Sequence, residues 1–337
     1  IRDRAEKPLI CIGGGVFAAH AENEIRELAD LMQIPVITTM MGISVFPDDD
    51  QLFCGMIGTH GVKMANAAVN ECDVLFLVGA RVGDRAVKTP LALEKTTKII
   101  HIDIDPAEIG KNIGADLPLV GDAKLVLQQM TELAKPMKHD EWIAHIKTLG
   151  GERKYVEPAK GTVNPRVFID RLAKKMPANV TVVADVGQNQ IWTCTEYKFR
   201  KEGRLLTSGG MGTMGYSVPA AIGAKMADNS RATVAICGDG AFQMSFMELA
   251  TAVQFGVDIK VVVMTNNRLG MVRELQTNGY HDRQTAVFLD GSPDFIKLAE
   301  AYGIPAMRVY DDATMEKGVE MLAEHKGICL VEVVVDK

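Results

Sequence analysis

The chain has 337 residues, 47% of them hydrophobic and 24% charged, enough apolar material for roughly two packed domains and too much for a disordered chain. Its 43 acidic and 37 basic side chains leave a net charge of -6, which argues against the basic surface of a nucleic-acid binder. No apolar run approaches the ~18 residues that a membrane span needs; the longest, such as Val74–Val78 and 261–264, have the length of buried strands. The 6 cysteines (Cys11, Cys54, Cys72, Cys194, Cys237 and Cys329) form no CxxC pair, which speaks for a reduced, cytoplasmic setting and against zinc. The first residue is Ile1 rather than Met, and no signal-peptide pattern follows. Residues 1–8 read as the tail of a helix already under way, so the chain is expected to begin inside a longer gene product.

In chain order, Pro8–Ile12 is a short apolar run ended by Gly13-Gly14-Gly15, followed by a helical stretch with apolar Ile25, Leu28, Ala29 and Met32. Then come a strand at 35–39, a helix at 62–69, a strand at Val74–Val78, a helix at 91–95 and a strand at 98–104. A second series begins with a helix at Pro165–Lys175 and a strand at 180–184. It continues with a helix at 218–226, a strand at 232–236, a helix at 245–255, a strand at 259–264, a helix at 293–302 and a strand at 328–335. Strands apolar on both faces, alternating with helices, predict parallel sheets covered on both sides. Residues 136–164 carry charges, glycines and Pro158 with one amphipathic turn around Trp142 and Ile146, and read as a linker. The expectation is therefore α/β, with two doubly wound parallel-sheet domains at 1–135 and 165–337.

Several strand ends carry chemistry. The Gly13-Gly14-Gly15 turn lies between strand and helix, where backbone N–H groups attract phosphate; simple chain reversal is the other reading. A second glycine-rich turn runs from Gly55 to Gly61. Arg81 and Arg85, after the third strand, offer guanidiniums suited to a diphosphate. Asp103 and Asp105 end a strand where nucleotide folds hold a ribose hydroxyl; a solvated charged rim is the alternative for the whole group. The second half is more specific. One strand ends in Gly238-Asp239-Gly240 and the next in Thr265-Asn266-Asn267. Gly240 permits close backbone approach, and Asp239 with an Asn at the adjacent strand end can hold one Mg²⁺ through oxygen, diphosphate and water completing its shell. An Asx turn in an ordinary loop is the competing reading.

This pairing resembles the diphosphate motif of thiamine diphosphate enzymes. Ser208-Gly209-Gly210-Met211-Gly212-Thr213-Met214-Gly215-Tyr216, the run 219–224, Gly270-Met271-Val272-Arg273-Glu274, 293–300, 55–61 and 101–109 are similar to acetohydroxyacid (acetolactate) synthase catalytic subunits. The likeness covers essentially the whole chain, and only that family's central and C-terminal domains: a Rossmann-like FAD-type domain and a thiamine diphosphate/Mg²⁺ domain. The resemblance implies Mg²⁺ ligation by Asp239, by Asn266, 27 positions on, and by the carbonyl of Arg268; Thr265 stands where the family usually has a first Asn. It implies that Val186, Gly187, Gln188, Gly238, Gly240, Ala241, Gly270 and Met271 hold thiamine diphosphate, and that Gln190 flanks the reaction centre. Gly212 would offer its carbonyl to the aminopyrimidine, and Met214 would wedge beneath the cofactor to bend it, although a core methionine also fits in a chain with 18 Met. A structural FAD would meet Gly14, Gly15, Thr39, Met40, Gly58, Thr59, His60, Gly79, Arg81, Arg85, Asp103, Ile104 and Asp122. Here the chain departs from the family: Arg81-Val82-Gly83-Asp84-Arg85 replaces the common Arg-Phe-Asp-Asp-Arg.

The implied reaction joins pyruvate with a second pyruvate or 2-oxobutyrate, with loss of CO₂, in branched-chain amino-acid biosynthesis. The family's enzymes work as homodimers or tetramers, some with a small regulatory subunit. Their activating Glu lies on an N-terminal domain that no segment here matches, so these 337 residues are expected to have no synthase activity alone. Leu275 stands where many members have Trp, which implies weak discrimination toward 2-oxobutyrate and resistance to sulfonylurea-type inhibitors. Two other readings stay open: a different thiamine diphosphate-dependent 2-oxoacid carboligase or decarboxylase, and a cofactor-binding fragment without turnover.

Overall fold

The computed structural model describes residues 5–87, 90–151 and 155–336, which form two compact units, Ile1–Arg153 and Lys154–Lys337. Residues 1–4, part of the expected helix tail, lie outside the described residues. Residues 5–7 are not helical; Glu6 and Lys7 donate their backbone N–H groups to the Asp73 carboxylate at 2.7 and 3.0 Å. Among the described residues no helix is long and apolar enough to cross a membrane.

The first unit is a six-stranded, all-parallel sheet: β1 (Pro8–Ile12), β2 (Val36–Thr38), β3 (Phe53–Met56), β4 (Val74–Val78), β5 (Lys98–Asp103) and β6 (Leu117–Val120), in the order β3-β2-β1-β4-β5-β6. Successive strand residues face opposite sides, and the core divides accordingly. Ile10, Ile12, Phe76, Val78 and Ile100 pack with Ile25, Leu28 and Met32 of helix Glu22–Met32 and Leu127 of helix Ala123–Leu133. Leu9, Cys11, Leu75, Leu77 and Ile99 pack on the other face with Ala65 and Ala68 of helix Lys63–Glu71. Trp142 and Ile146 join that second core from helix Asp140–Leu149, inside the stretch read as a linker, and Trp142 Nε1 donates to the Pro8 carbonyl at 2.9 Å.

The second unit repeats the architecture with β7 (Thr181–Ala184), β8 (Arg204–Thr207), β9 (Thr233–Gly238), β10 (Lys260–Thr265), β11 (Ala306–Val309) and β12 (Cys329–Val334), all parallel, in the order β11-β12-β10-β9-β7-β8. Val183, Ala235, Cys237, Val261 and Val263 pack against helices Ser217–Ala227 and Leu249–Gln254. The helix expected at 245–255 is broken into a 3-10 turn, Phe246–Glu248, and the helix Leu249–Gln254. At the rim where these strands begin, cations meet backbone carbonyls. Lys225 donates to the carbonyls of Asn229 and Arg231, Arg231 to those of Val180 and Glu202, and Lys260 to those of His325 and Gly327.

Candidate active site

In the second unit the chain leaves β7 for β8 on one side and then returns to β9 on the other, so a crevice opens between the carboxyl ends of β7 and β9, where α/β sheets bind ligands. The expected diphosphate residues gather there. Gly187, at φ 144°, starts helix Gln188–Glu196, and a Cβ on it would stand 2.6 Å from Asn189 Oδ1. The helix N-terminus thus presents backbone N–H groups at the mouth of the crevice. From β9, Asp239 is 2% exposed. Its Oδ2 accepts from the backbone N–H groups of Asn266 and Asn267 at 3.1 and 2.6 Å, and its Oδ1 from that of Gly240 at 2.8 Å. Burial pushes the Asp239 carboxyl above its ordinary range, against the pull of these three N–H groups. An anion so desolvated is suited to a cation at its free lone pairs.

Asn266 ends β10 and is nearly buried. Its Oδ1 accepts from the Arg268 N–H at 3.0 Å and keeps a second lone pair for a metal. Asn267 turns the chain in the left-handed region, φ 54°, and directs its N–H at Asp239. One carboxylate, one amide oxygen and one backbone carbonyl make a hard-oxygen set of the kind Mg²⁺ takes when phosphate oxygens complete the shell. Arg268 is held by Asp290 at 3.0 Å and lies over the Phe288 ring, 4.5 Å from its centroid.

Met214 borders the same crevice. Its Cε lies 3.5 Å from where a Cβ of Gly240 would be, and Gly240 also faces Leu269 and Leu289. Gly212 is exposed at φ 68°, its N–H bonded to the Ser208 carbonyl. Gly238, Ala241 and Met271 flank the same turns, and Val186 N–H is taken by Asp185 at 2.9 Å. Gln188 reaches across to Gly270 and donates to Glu274 at 3.2 Å. Gln190 is placed differently: it is buried and donates Nε2 to Thr207 Oγ1 at 2.6 Å, tying its helix to β8.

Two residues here escaped the sequence reading. Asp185 is fully buried and accepts from the N–H groups of Val186, Gly215 and Ser217. Asn189 donates Nδ2 to the carbonyls of Asp185 and Ile236 at 2.8 and 3.2 Å, stapling β7 to β9 at the crevice. A lone polar residue after an apolar strand carries no signal of its own.

In the first unit the order reverses between β1 and β4, again at a switch point. A Cβ on Gly13 would lie 2.1 Å from the Gly79 carbonyl oxygen, and one on Gly15 2.7 Å from Gly79 Cα, so these turns need glycine for backbone contact. Thr39 and Met40 follow β2, with Thr39 N–H on the Ile12 carbonyl. Gly58 is bonded reciprocally to Asn66, at 2.9 Å in both directions. Thr59 N–H meets the Arg85 carbonyl, and the Thr59 and His60 side chains are exposed. Arg81 and Arg85 are exposed and make no ion pair among the described residues. Asp103 accepts from Asp105 N–H, Ile104 is exposed, and Asp122 caps helix Ala123–Leu133 through Leu125 N–H. All these positions lie at carboxyl ends of strands, one rim of one sheet.

Residues 3–130 match the central domain of the thiamine pyrophosphate enzymes, and residues 185–333 match their C-terminal TPP binding domain. The chain belongs to the thiamine pyrophosphate enzymes. Its relatives include the probable acetolactate synthase large subunit of Methanocaldococcus jannaschii, 41% identical over 98% of this chain and 58% of the relative. The acetolactate synthase large subunit of Lactococcus lactis is 36% identical over 99% and 58%, and the acetolactate synthase of Mycobacterium bovis 39% over 98% and 55%. The chain thus spans little more than half the length of these curated relatives. The C-terminal match runs from Asp185 in the crevice through Asp239 and Asn266 to β12.

Proposed function

We propose that the chain supplies the diphosphate-binding and FAD-binding parts of an acetolactate synthase catalytic subunit, which condenses pyruvate with pyruvate or 2-oxobutyrate. The observation that carries this reading is buried Asp239 facing Asn266 across adjacent strand ends in the β7/β9 crevice. Asp239, Asn266 and the Arg268 carbonyl hold Mg²⁺. Gly187, Gln188 and the glycine turns at 238, 240 and 270 receive the diphosphate, with Val186, Ala241 and Met271 beside them. Gly212 and Met214 orient the aminopyrimidine. Thiamine diphosphate, when bound, supplies the electron sink for breaking a carbon–carbon bond beside a carbonyl; the chain binds, bends and shields it. In the first unit, Arg81 and Arg85, without an ion pair among the described residues, and the β1/β4 switch point support an FAD diphosphate.

Relatives named as large subunits support a smaller regulatory partner, and the family resemblance supports a homodimer or tetramer in the cytoplasm. Asp185 and Asp239 are engaged by backbone N–H groups and Glu274 by Gln188, so the 337 residues assayed alone are expected to bind cofactor without condensing oxoacids. Calorimetric titration of thiamine diphosphate, with and without Mg²⁺, tests the reading. Mg²⁺-dependent binding that Asp239→Ala removes is expected; binding indifferent to both overturns it. Ordinary turnover by the isolated chain would overturn the expectation of inactivity.

A further inference from the structure

In the loop 208–216, Met214 and Tyr216 pack against the core of the second unit, while 209–213 reach toward solvent. The loop contains four glycines, Gly209, Gly210, Gly212 and Gly215, two of them at positive φ (68° and 82°), and Met211 at its tip is 91% exposed. Glycine-rich backbone loses more freedom on ordering than any other. Two of its hydrogen bonds, Ser208 Oγ to the Thr213 carbonyl and Gly212 N–H to the Ser208 carbonyl, stay inside the loop; they shape it without attaching it. Among the described residues, the hydrogen bonds that fasten Gly215 and the first helical residue Ser217 to the sheet both end on Asp185. Gly215 N–H reaches Oδ1 at 3.0 Å and Ser217 N–H reaches Oδ2 at 2.8 Å.

We propose that Asp185 is a positioning residue that fixes the height of Met214 over the Gly240 turn, and so the bend imposed on the cofactor. A carboxyl group offers two acceptor oxygens here, where an amide offers one. Those of Asp185 accept three N–H groups in a fully buried place, and charge-assisted bonds of this kind are about twice as strong as neutral ones. Among the described residues Asp185 makes no hydrogen bond with Asp239 or Asn266; it borders the diphosphate turn through Val186 N–H, and its bonds to Gly215 and Ser217 are the ones that act on the loop. The role rests on the thiamine diphosphate reading for its meaning, but the loop attachment itself does not.

Amide hydrogen exchange of the 337-residue chain tests the attachment without any cofactor. In Asp185→Asn, whose amide nitrogen cannot accept, exchange across 208–217 should rise about tenfold, while the Asp239–Phe242 turn stays protected. Asp185→Glu, which keeps both acceptor oxygens, should restore protection to within about threefold of wild type. In the cofactor arm, Asp185→Asn should alter the near-ultraviolet circular-dichroism band of bound thiamine diphosphate while its Mg²⁺-dependent Kd moves less than about threefold. Unchanged exchange in Asp185→Asn overturns the proposal, as does a Kd loss equal to that of Asp239→Ala with the band intact. A wild-type loop that already exchanges like free chain overturns it without any variant. A wild type that binds no thiamine diphosphate would instead sink the functional reading and leave the exchange result standing.

Discussion

Gln188 Oε1 occupies the space of a side chain on Gly270: a Cβ there would lie 2.0 Å away, and Asn266 Nδ2 would be 3.2 Å from it. Gly270 opens helix Gly270–Gly279, where Ala would otherwise be the better residue by about 1 kcal/mol. Gly270→Ala should therefore leave the melting temperature unchanged or slightly raised, because the clashing atom is the end of a flexible side chain. It should weaken thiamine diphosphate binding by pushing Gln188 off its Glu274 partner. Paired thermal melts and cofactor titrations check this split; a lowered melting temperature with unchanged affinity refutes it.

Asp239→Ala and Asn267→Ala separate the proposed metal ligand from its neighbour. The first strands three buried N–H groups and deletes an anionic ligand, so it should cost at least about 2 kcal/mol of stability and abolish Mg²⁺-dependent binding. The second removes a side chain that the proposed ligand set leaves out, at a backbone of φ 54°. It should cost about 1 kcal/mol through strain and leave Mg²⁺ affinity nearly intact. Equal losses of affinity in titration would place the ligand at 267 instead of 266.

Gly13→Ala drives a Cβ into the Gly79 carbonyl, which is backbone and cannot swing away. The first unit should lose about 3 kcal/mol or more, with FAD binding lost as well. Differential scanning calorimetry would register a lowered transition. An unshifted one would mean that β1 and β4 end further apart than described.

Burial pushes the thiols of Cys11, Cys54, Cys72 and Cys194 up to about 12 from an ordinary 9.0. At pH 8 only about one in ten thousand of each is thiolate, so native protein should react with a disulfide reagent far more slowly than unfolded protein. The stability term has a definite sign. The unfolded thiols ionise first, so stability is complete below pH 9 and falls as pH rises from 9 toward 12. A melting temperature flat across that window would contradict the burial of these thiols.

Leu275 is 62% exposed on helix Gly270–Gly279, at the position where the resemblance to acetolactate synthases implies Trp. The missing aromatic contact is of the order of 1–3 kcal/mol, so, on the function proposed above, a synthase containing this chain should show weak preference for 2-oxobutyrate and resist sulfonylurea-type inhibitors. Competition between the two oxoacids decides it: strong preference for 2-oxobutyrate defeats the expectation.

The interior strands were legible because they are continuous apolar runs. The four strands that sequence reading passed over, β3, β6, β8 and β11, are the four sheet edges. Their burial is only partial, and Pro118 sits in β6, so they lack the unbroken apolar signature; an edge strand tolerates proline because its outer side needs no ladder N–H. Asp239 with an Asn at the next strand end was legible because strand, glycine and helix bring the two turns together, whereas the choice of Asn266 over Asn267 came from the family resemblance; Asp239 accepts from the N–H groups of both. Asp185 and Asn189 were not legible, because their work is bonding to backbone from distant segments, which leaves no pattern in the chain. Trp142 and Ile146 were seen as amphipathic, but the helix around them was too short and too charged to be separated from a connection.

In the second unit, the carboxyl-end rim carries every residue proposed to meet ligand, whereas the opposite rim carries Lys225, Arg231 and Lys260 tying down loose carbonyls. The two rims are separated by the length of the strands. A substitution at Lys225, Arg231 or Lys260 therefore frees buried-rim carbonyls at one end of the sheet and leaves the turns at the other end in place, so stability and ligand binding can be altered separately.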